Sequence, residues 1–146
     1  PIPNLKNHLR KMKKQNIKLA ILTSRQKRKT EQQLKRFSLL HYFDKILIKK
    51  GIDYVKEKCN GLRELLKEFG IKSECALFIG DTSYDIEAGR RVGVISVGVL
   101  SGLTDRHTLE KEGPDLIINN ITKLKLGFLK RFKKIEEIPV CKNYID

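Results

Sequence analysis

The sequence holds little from which a membrane, secreted or metal-stapled protein could be made. Its three cysteines, Cys59, Cys75 and Cys141, are odd in number and lack zinc-ligand spacing, which excludes a disulfide framework and a structural zinc site. No apolar run approaches the ~20 residues of a membrane span. The longest, Val92 to Leu100, is broken by glycines. The first fifteen residues are too polar and basic for a secretory signal. There is no internal repeat and no low-complexity stretch. Acidic side chains are scarce at the start: residues 1–36 carry twelve Lys and Arg against the single Glu31. A soluble, cytoplasmic protein without membrane contact is the expectation.

What is present suits one ordinary domain. The 146 residues are 40% hydrophobic and 33% charged, a globular composition. A chain of this length buries roughly 68–70% of its unfolded surface and needs no covalent staple. The net charge of +14 is unevenly spread, at +11 over residues 1–36, −1 over 37–120 and +4 over 121–146. Such asymmetry suits an anionic partner, whether nucleic acid, a phosphorylated metabolite or an acidic surface. It equally suits solvated helix faces, because the basic residues interleave with apolar ones at helical spacing.

Helix and strand patterns alternate along the chain. Leu5, Leu9 and Met12 mark one face of a basic helix, followed by an apolar strand over Ile17 to Leu22. A second helix is predicted from about Lys27 to Phe37 and a second strand over Ile46 to Ile48. Leu62, Leu65, Leu66 and Phe69 form a helical stripe that stops at Gly70. Further strands are predicted at Cys75 to Ile79, Gly93 to Val99 and Leu116 to Ile118, with a helix from about Tyr84 to Val92. Residues 1–120 thus read as an α/β core. Residues 121–146 read as a basic tail, with an amphipathic helix from Ile121 to about Glu137 interrupted at Gly127. Strands joined by helices imply a parallel sheet covered on both faces. Its crevice lies outside the carboxyl ends of the strands. There the polar residues collect: Thr23-Ser24-Arg25, Gly80-Asp81-Thr82 and Ser101-Gly102.

Two acids stand out first. Asp81 falls at a strand end and Asp85 one helical turn later, so both carboxylates can face one crevice. Paired carboxylates are costly without a cation, and oxygen-rich sites of this kind suit Mg²⁺. The same residues could instead cap the following helix and complement its dipole. Thr23 and Ser24, a hydroxyl beside free N–H groups, could cradle a phosphate or simply cap the helix that follows. Lys56 and Lys58 precede the helix expected from about Asn60, and either could meet a phosphate as a point charge.

The ordered set resembles the haloacid dehalogenase superfamily of phosphohydrolases, in its phosphoglycolate-phosphatase-like branch. The resemblance runs from the Pro3 region to about Leu124. The segment "PNLKNHLRKMKKQNIKLAILTS" resembles the family's approach to its second motif, which implies that Thr23 is the phosphate-binding hydroxyl, with Ser24 and Arg25 beside it. The segment "VKEKCNGLRELLKEFGI" is similar to the third motif, whose lysine would be Lys56 by helix phase counted back from Gly70, or else Lys58. The proline that usually follows this lysine is replaced by Glu57. "LFIGDTSYDIEAGRRVGV" matches the fourth motif, implying Asp81 as a Mg²⁺ ligand and Asp85 as a second acidic support. "SGLTDRHTLEKEGPDLIINN" matches the loop, helix and last strand that follow.

The resemblance implies a Rossmann-like, three-layer α/β/α core with a mainly parallel sheet, lacking the family's first strand and cap domain. That first strand carries an Asp-x-Asp pair, a nucleophile and a general acid/base. Residues 1–22 contain no aspartate, and none of the seven aspartates of the chain forms such a pair. The strand should stand centrally, between those at Ile17–Leu22 and Cys75–Ile79. Without it two interior strands would face a gap, each buried unpaired group costing about 1–3 kcal/mol. An upstream segment, a closed-up sheet or a partner chain could resolve this, the upstream segment being preferred. The implied function is a Mg²⁺-dependent phosphomonoester hydrolase of a small phosphorylated metabolite, completed by an upstream Asp-x-Asp segment or a partner chain and inactive as residues 1–146 alone. The alternative is a non-catalytic module of this ancestry that uses its basic surface to bind protein or, less favoured, nucleic acid.

Overall fold

Apolar residues fill successive positions of the central strands, so both faces of the sheet have to be covered. The structure, a computed structural model, describes residues 2–102, 104–125, 127 and 141–144. Its helices are α1 (Leu5–Lys14), α2 (Lys27–Arg36), α3 (Tyr54–Phe69), α4 (Ser83–Val92) and α5 (Arg106–Lys111). Its strands are β1 (Lys18–Thr23), β2 (Lys45–Ile48), β3 (Ala76–Gly80), β4 (Ile95–Val99), β5 (Leu116–Ile118) and β6 (Cys141–Tyr144). They form one six-stranded sheet in the order β2-β1-β6-β3-β4-β5, with every pair parallel.

β3 and β4 are buried along their whole length and β1 from Leu19 onward, whereas the edge strands β2 and β5 are mostly half-buried. Side-chain alternation sorts the interior into two layers. Leu19, Leu77, Ile79, Val97 and Val99 pack with Leu9 and Met12 of α1. Ala20, Leu22, Ala76 and Phe78 pack with Val55, Cys59, Leu62, Leu65 and Leu66 of α3 and Ala88 of α4. The result is the three-layer α/β/α architecture expected. The approach of α3 to β1 is close at Gly61, where a methyl group would come within 2.4 Å of Leu22 Cδ1. Burial pushes the Cys59 thiol above its ordinary value despite the nearby Arg63 and Arg91, which keeps it protonated. Its Sγ lies 3.7 Å from the Ala88 carbonyl, linking α3 to α4.

Asp44 ties the amino end of the sheet together. Its carboxylate accepts from Lys13 Nζ of α1 at 2.7 Å and from the Leu19 N–H of β1 at 2.8 Å. Its own N–H donates to the Leu19 carbonyl at 2.7 Å. Asp115 repeats the device between β4 and β5, accepting from the Ser96 N–H at 2.8 Å.

Two features differ from the sequence expectation. First, α3 starts at Tyr54, because Asp53 caps it by accepting from the Lys56 N–H at 3.0 Å. Lys56 and Lys58 are therefore helical residues and do not precede the helix. Second, the central position is not a gap. β6 pairs with β1 through Lys18↔Cys141 to Ile21↔Tyr144 and with β3 through Ala76↔Cys141 to Ile79↔Tyr144. Residues 141–144, expected in a tail, complete both ladders, which removes the penalty of unpaired interior N–H and C=O groups. The expected tail helix begins as a 3₁₀ turn at Ile121–Lys123, and most of its remaining length, residues 128–137, lies outside the described residues. No helix among the described residues is long and apolar enough to cross a membrane.

Candidate active site

The carboxyl ends of β1 and β3 carry the polar residues. In the register set by β6, Ile21 and Ile79 stand level, so Thr23 and Asp81, two residues further on, do so as well. One strand separates their backbones, a spacing of roughly 9–10 Å. A cavity of about 180 Å³ opens at this end, lined by Ser24, Tyr54, Lys58, Asp81, Thr82, Tyr84 and Asp85.

α4 begins beside the cavity with a reciprocal cap. Thr82 is its N-cap, and the Thr82 Oγ1 accepts from the Asp85 N–H at 3.2 Å. Asp85 Oδ2 accepts from the Thr82 N–H at 3.2 Å and the Thr82 hydroxyl at 2.8 Å. This occupies one carboxylate oxygen of a residue only 1% exposed. The other, Oδ1, is buried and accepts no hydrogen bond of good geometry. Its compensation is the charge of Lys58, whose Nζ stands 3.2 Å away. A buried carboxylate is tolerated only with such a partner. Lys58 Nζ also lies 3.5 Å from the Leu22 carbonyl and 6.0 Å from the Phe78 ring centroid. The ammonium is thus held between the end of β1 and the start of α4.

Asp81 takes no part in the cap and is half-buried at the cavity wall. Two glycines leave room for the acids. A methyl group at Gly102 would come within 2.0 Å of Asp81 Oδ2, and one at Gly80 within 2.3 Å of Asp85 Cβ. Among the described residues no group of three or more His, Cys, Asp or Glu comes together. The described residues thus offer a cation two carboxylates, a hard-oxygen set. Mg²⁺ commonly takes one or two protein carboxylates and keeps several waters. The half-buried carboxylate of Asp81 fits that chemistry, with Asp85, whose Oδ1 accepts no hydrogen bond and faces Lys58, behind it.

The structure brings Ser24, Lys58, Asp81 and Asp85 together. Thr23 sits at the end of β1, 3% exposed, with its Oγ1 accepting from the Arg25 N–H at 3.1 Å. Arg25 is exposed and its guanidinium donates to Gln33 Oε1 at 3.3 Å, along α2 and outside the cavity lining. Lys56, the lysine preferred by helix phase, is exposed and does not line the cavity; Lys58 does. The reason is helical geometry: two residues are about 200° apart around the axis, so only one of the pair can face the sheet. Val55 and Leu62, three residues before and four after Lys58, are both buried, which puts Lys58 on the inward face. Sequence reasoning put Thr82 at the crevice but missed its capping role, and it missed Tyr54 and Tyr84. Thr82 had a visible signal, a Thr-x-x-Asp spacing at a helix start.

A family model described as haloacid dehalogenase-like hydrolase matches residues 1–99. The chain is 30% identical over 116 residues to pyrophosphatase PpaX of Bacillus cereus, covering 80% of this chain and 54% of that protein. It is 30% identical over 118 residues to pyrophosphatase PpaX of Bacillus anthracis, covering 81% and 55%. The crystal structure of a predicted phosphatase from Clostridium acetobutylicum superposes with a TM-score of 0.72 at 25% identity, over 91% of this chain and 60% of that one. The chain spans about half the length of the curated relatives it matches.

Proposed function

This chain belongs to the haloacid dehalogenase-like hydrolases, and from that premise we propose that it forms the phosphate- and cation-binding part of a Mg²⁺-dependent phosphomonoester hydrolase acting on a small phosphorylated metabolite. The observation that carries the reading is the convergence of Ser24, Lys58, Asp81 and Asp85 on one cavity at the strand ends. The Ser24 side chain and the N–H groups that follow β1 offer donors to phosphoryl oxygens, with the Thr23 hydroxyl at the base of the same turn. Lys58, anchored by Asp85, presents a fixed positive charge to a phosphoryl group in the cavity. A charge fixed in advance costs no reorganisation when negative charge develops, and such stabilisation is the main contribution a protein makes to phosphoryl transfer. Asp81 is the direct ligand for Mg²⁺ and Asp85 supports it. When bound, that cation neutralises phosphoryl charge. The nucleophile belongs to a strand outside residues 1–146, supplied by an upstream segment or a partner chain that takes the central place β6 holds between β1 and β3, so these residues alone turn over no aryl phosphate. Whichever segment carries it has to reach the level of Thr23 and Asp81.

Asp81→Asn in the protein completed by its nucleophile segment abolishes hydrolysis while leaving the thermal unfolding curve unchanged. Undiminished turnover would show that Asp81 does not hold the cation. Turnover by residues 1–146 alone, lost on Asp81→Asn, would place the nucleophile within this chain.

One observation favours the second reading, a binding module. A larger cavity, about 630 Å³, lies away from these residues and is walled by α1 and the end of α2. It joins the apolar Ile2, Leu5, Phe37 and Leu39 to the cations Lys6, Arg10 and Arg36 but contains no carboxylate. A surface of that kind suits an acidic partner with apolar anchors. Binding through it would weaken steeply with salt.

A further inference from the structure

Tyr54 and Tyr84 are not used by the chemistry above. They come from different elements, the first turn of α3 and the first turn of α4, yet they meet at the cavity mouth. Their ring centroids are 5.6 Å apart and the planes are inclined at 38°. Both remain about half exposed, at 55% and 50%. A tyrosine that served only to fill the core would be covered. Two from separate helices, left open beside a polar cavity, form apolar surface that water gains nothing by touching.

The spacing defines how such a pair can be used. A planar group sandwiched between two rings needs about 7 Å, twice the contact distance of carbon atoms. At 5.6 Å nothing planar enters between these two, so they act together as one tilted platform. The platform shares its cavity with Lys58, Asp81 and Ser24. A phosphate group of five heavy atoms does not fill about 180 Å³, and both tyrosines belong to the lining of that volume. A ligand that puts its phosphate against Lys58 therefore has room within the same cavity for its next atoms beside Tyr54 and Tyr84.

We propose that Tyr54 and Tyr84 form a stacking subsite that selects phosphate esters with a planar aromatic leaving group, an aryl or nucleobase-bearing alcohol, over aliphatic ones. This rests on the phosphate site proposed above and names its substrate class. Aromatic faces accept a planar group with little regard to its substituents, so the subsite is selective for planarity and not for one particular base.

The test is calorimetric titration of the whole chain with inorganic phosphate, methyl phosphate and phenyl phosphate, in Mg²⁺ buffer. Phenyl phosphate is expected to bind about tenfold more tightly than methyl phosphate. Tyr54→Leu combined with Tyr84→Leu brings that ratio to near one and leaves inorganic phosphate unaffected. Tyr54→Phe with Tyr84→Phe keeps the ratio, since the rings and not the hydroxyls carry it. If inorganic phosphate binds but the parent ratio is below twofold, the stacking subsite is wrong and the phosphate site stands. Failure of all three probes to bind refutes the phosphate site, and the subsite with it.

Discussion

Lys56 and Lys58 differ by two positions, and the structure gives them opposite consequences on removal. Lys58→Met deletes the charge that faces the buried Oδ1 of Asp85, whose side chain is 2% exposed. Breaking a buried pair from one side typically costs 3–5 kcal/mol, because a charge is left without a partner. Here Oδ2 keeps its two hydrogen bonds from Thr82 and lies in the first turn of α4, where the helix dipole favours an anion. The lower end, about 3 kcal/mol, is therefore expected. For a domain of this size that corresponds to a fall in Tm of roughly 6–12 °C. Lys56→Met leaves the Asp53 cap intact, since the cap uses the Lys56 backbone N–H, and changes stability by less than about 0.5 kcal/mol. Urea unfolding of the two variants measures both numbers, with an unchanged m-value as the check that one transition is compared. Adding Asp85→Asn closes a double-mutant cycle. Lys58→Met should cost much less in that background, because no charge is then left exposed to the interior. Equal losses for the two lysines, or additivity with Asp85→Asn, would refute the inward placement of Lys58.

Gly102→Ala forces Asp81 to give way, since the new methyl would stand 2.0 Å from its Oδ2. Mg²⁺ affinity of the whole chain, followed by calorimetry, should fall about tenfold or more while stability stays within about 1 kcal/mol, as for a surface loop. The acid side of the stability profile should depend on Asp44. Burial raises its pKa, but the hydrogen bonds from Lys13 and Leu19 and the charges of Lys13 and Lys18 outweigh this, and the net position is below the ordinary 3.8. Its contribution is then complete above that ordinary value and is lost as pH falls through the lower folded value. Asp44→Asn should be destabilised near neutral pH, with the difference from the parent shrinking below about pH 4 in urea titrations. A constant difference down to pH 2 would show that ionisation of Asp44 contributes nothing.

Where the pattern of residues was continuous, the sequence anticipated the fold closely. Ala76 to Gly80 and Ile95 to Val99 are apolar runs that only a strand covered on both faces accommodates, and α4 carries its own start and stop signals. The site was legible at Asp81 and Asp85 because a strand end and one helical turn fix their relation. It was not legible at the lysines. The stripe of Leu62, Leu65 and Leu66 establishes the helix phase, but the start expected near Asn60 overlooks the Asp53 cap about two turns earlier. With α3 beginning at Tyr54, the same phase turns Lys58 inward and Lys56 outward. Tyr54 and Tyr84 escaped notice because a single aromatic residue near a motif looks like core; what distinguishes them is contact between two helices that are distant in sequence. β6 could not be read from Cys-Lys-Asn-Tyr, which lacks the apolar character of an interior parallel strand. Its strand conformation comes from the ladders on either side.

β6 also has a consequence for the order of assembly. Without it the sheet is two separate ribbons, β2-β1 and β3-β4-β5, with no backbone ladder between them. The seam closes through pairings such as Lys18↔Cys141, among the most distant in sequence that the fold contains, and contacts of that separation form late because the intervening loop must be closed first. Thr23 and Ser24 belong to one ribbon, Asp81 and Asp85 to the other, and the Lys58 side chain spans the seam between Leu22 and Asp85. The cavity is accordingly the last part of the molecule to acquire its dimensions, and any fluctuation that widens the seam changes the distance between hydroxyl and carboxylate before it disturbs either ribbon.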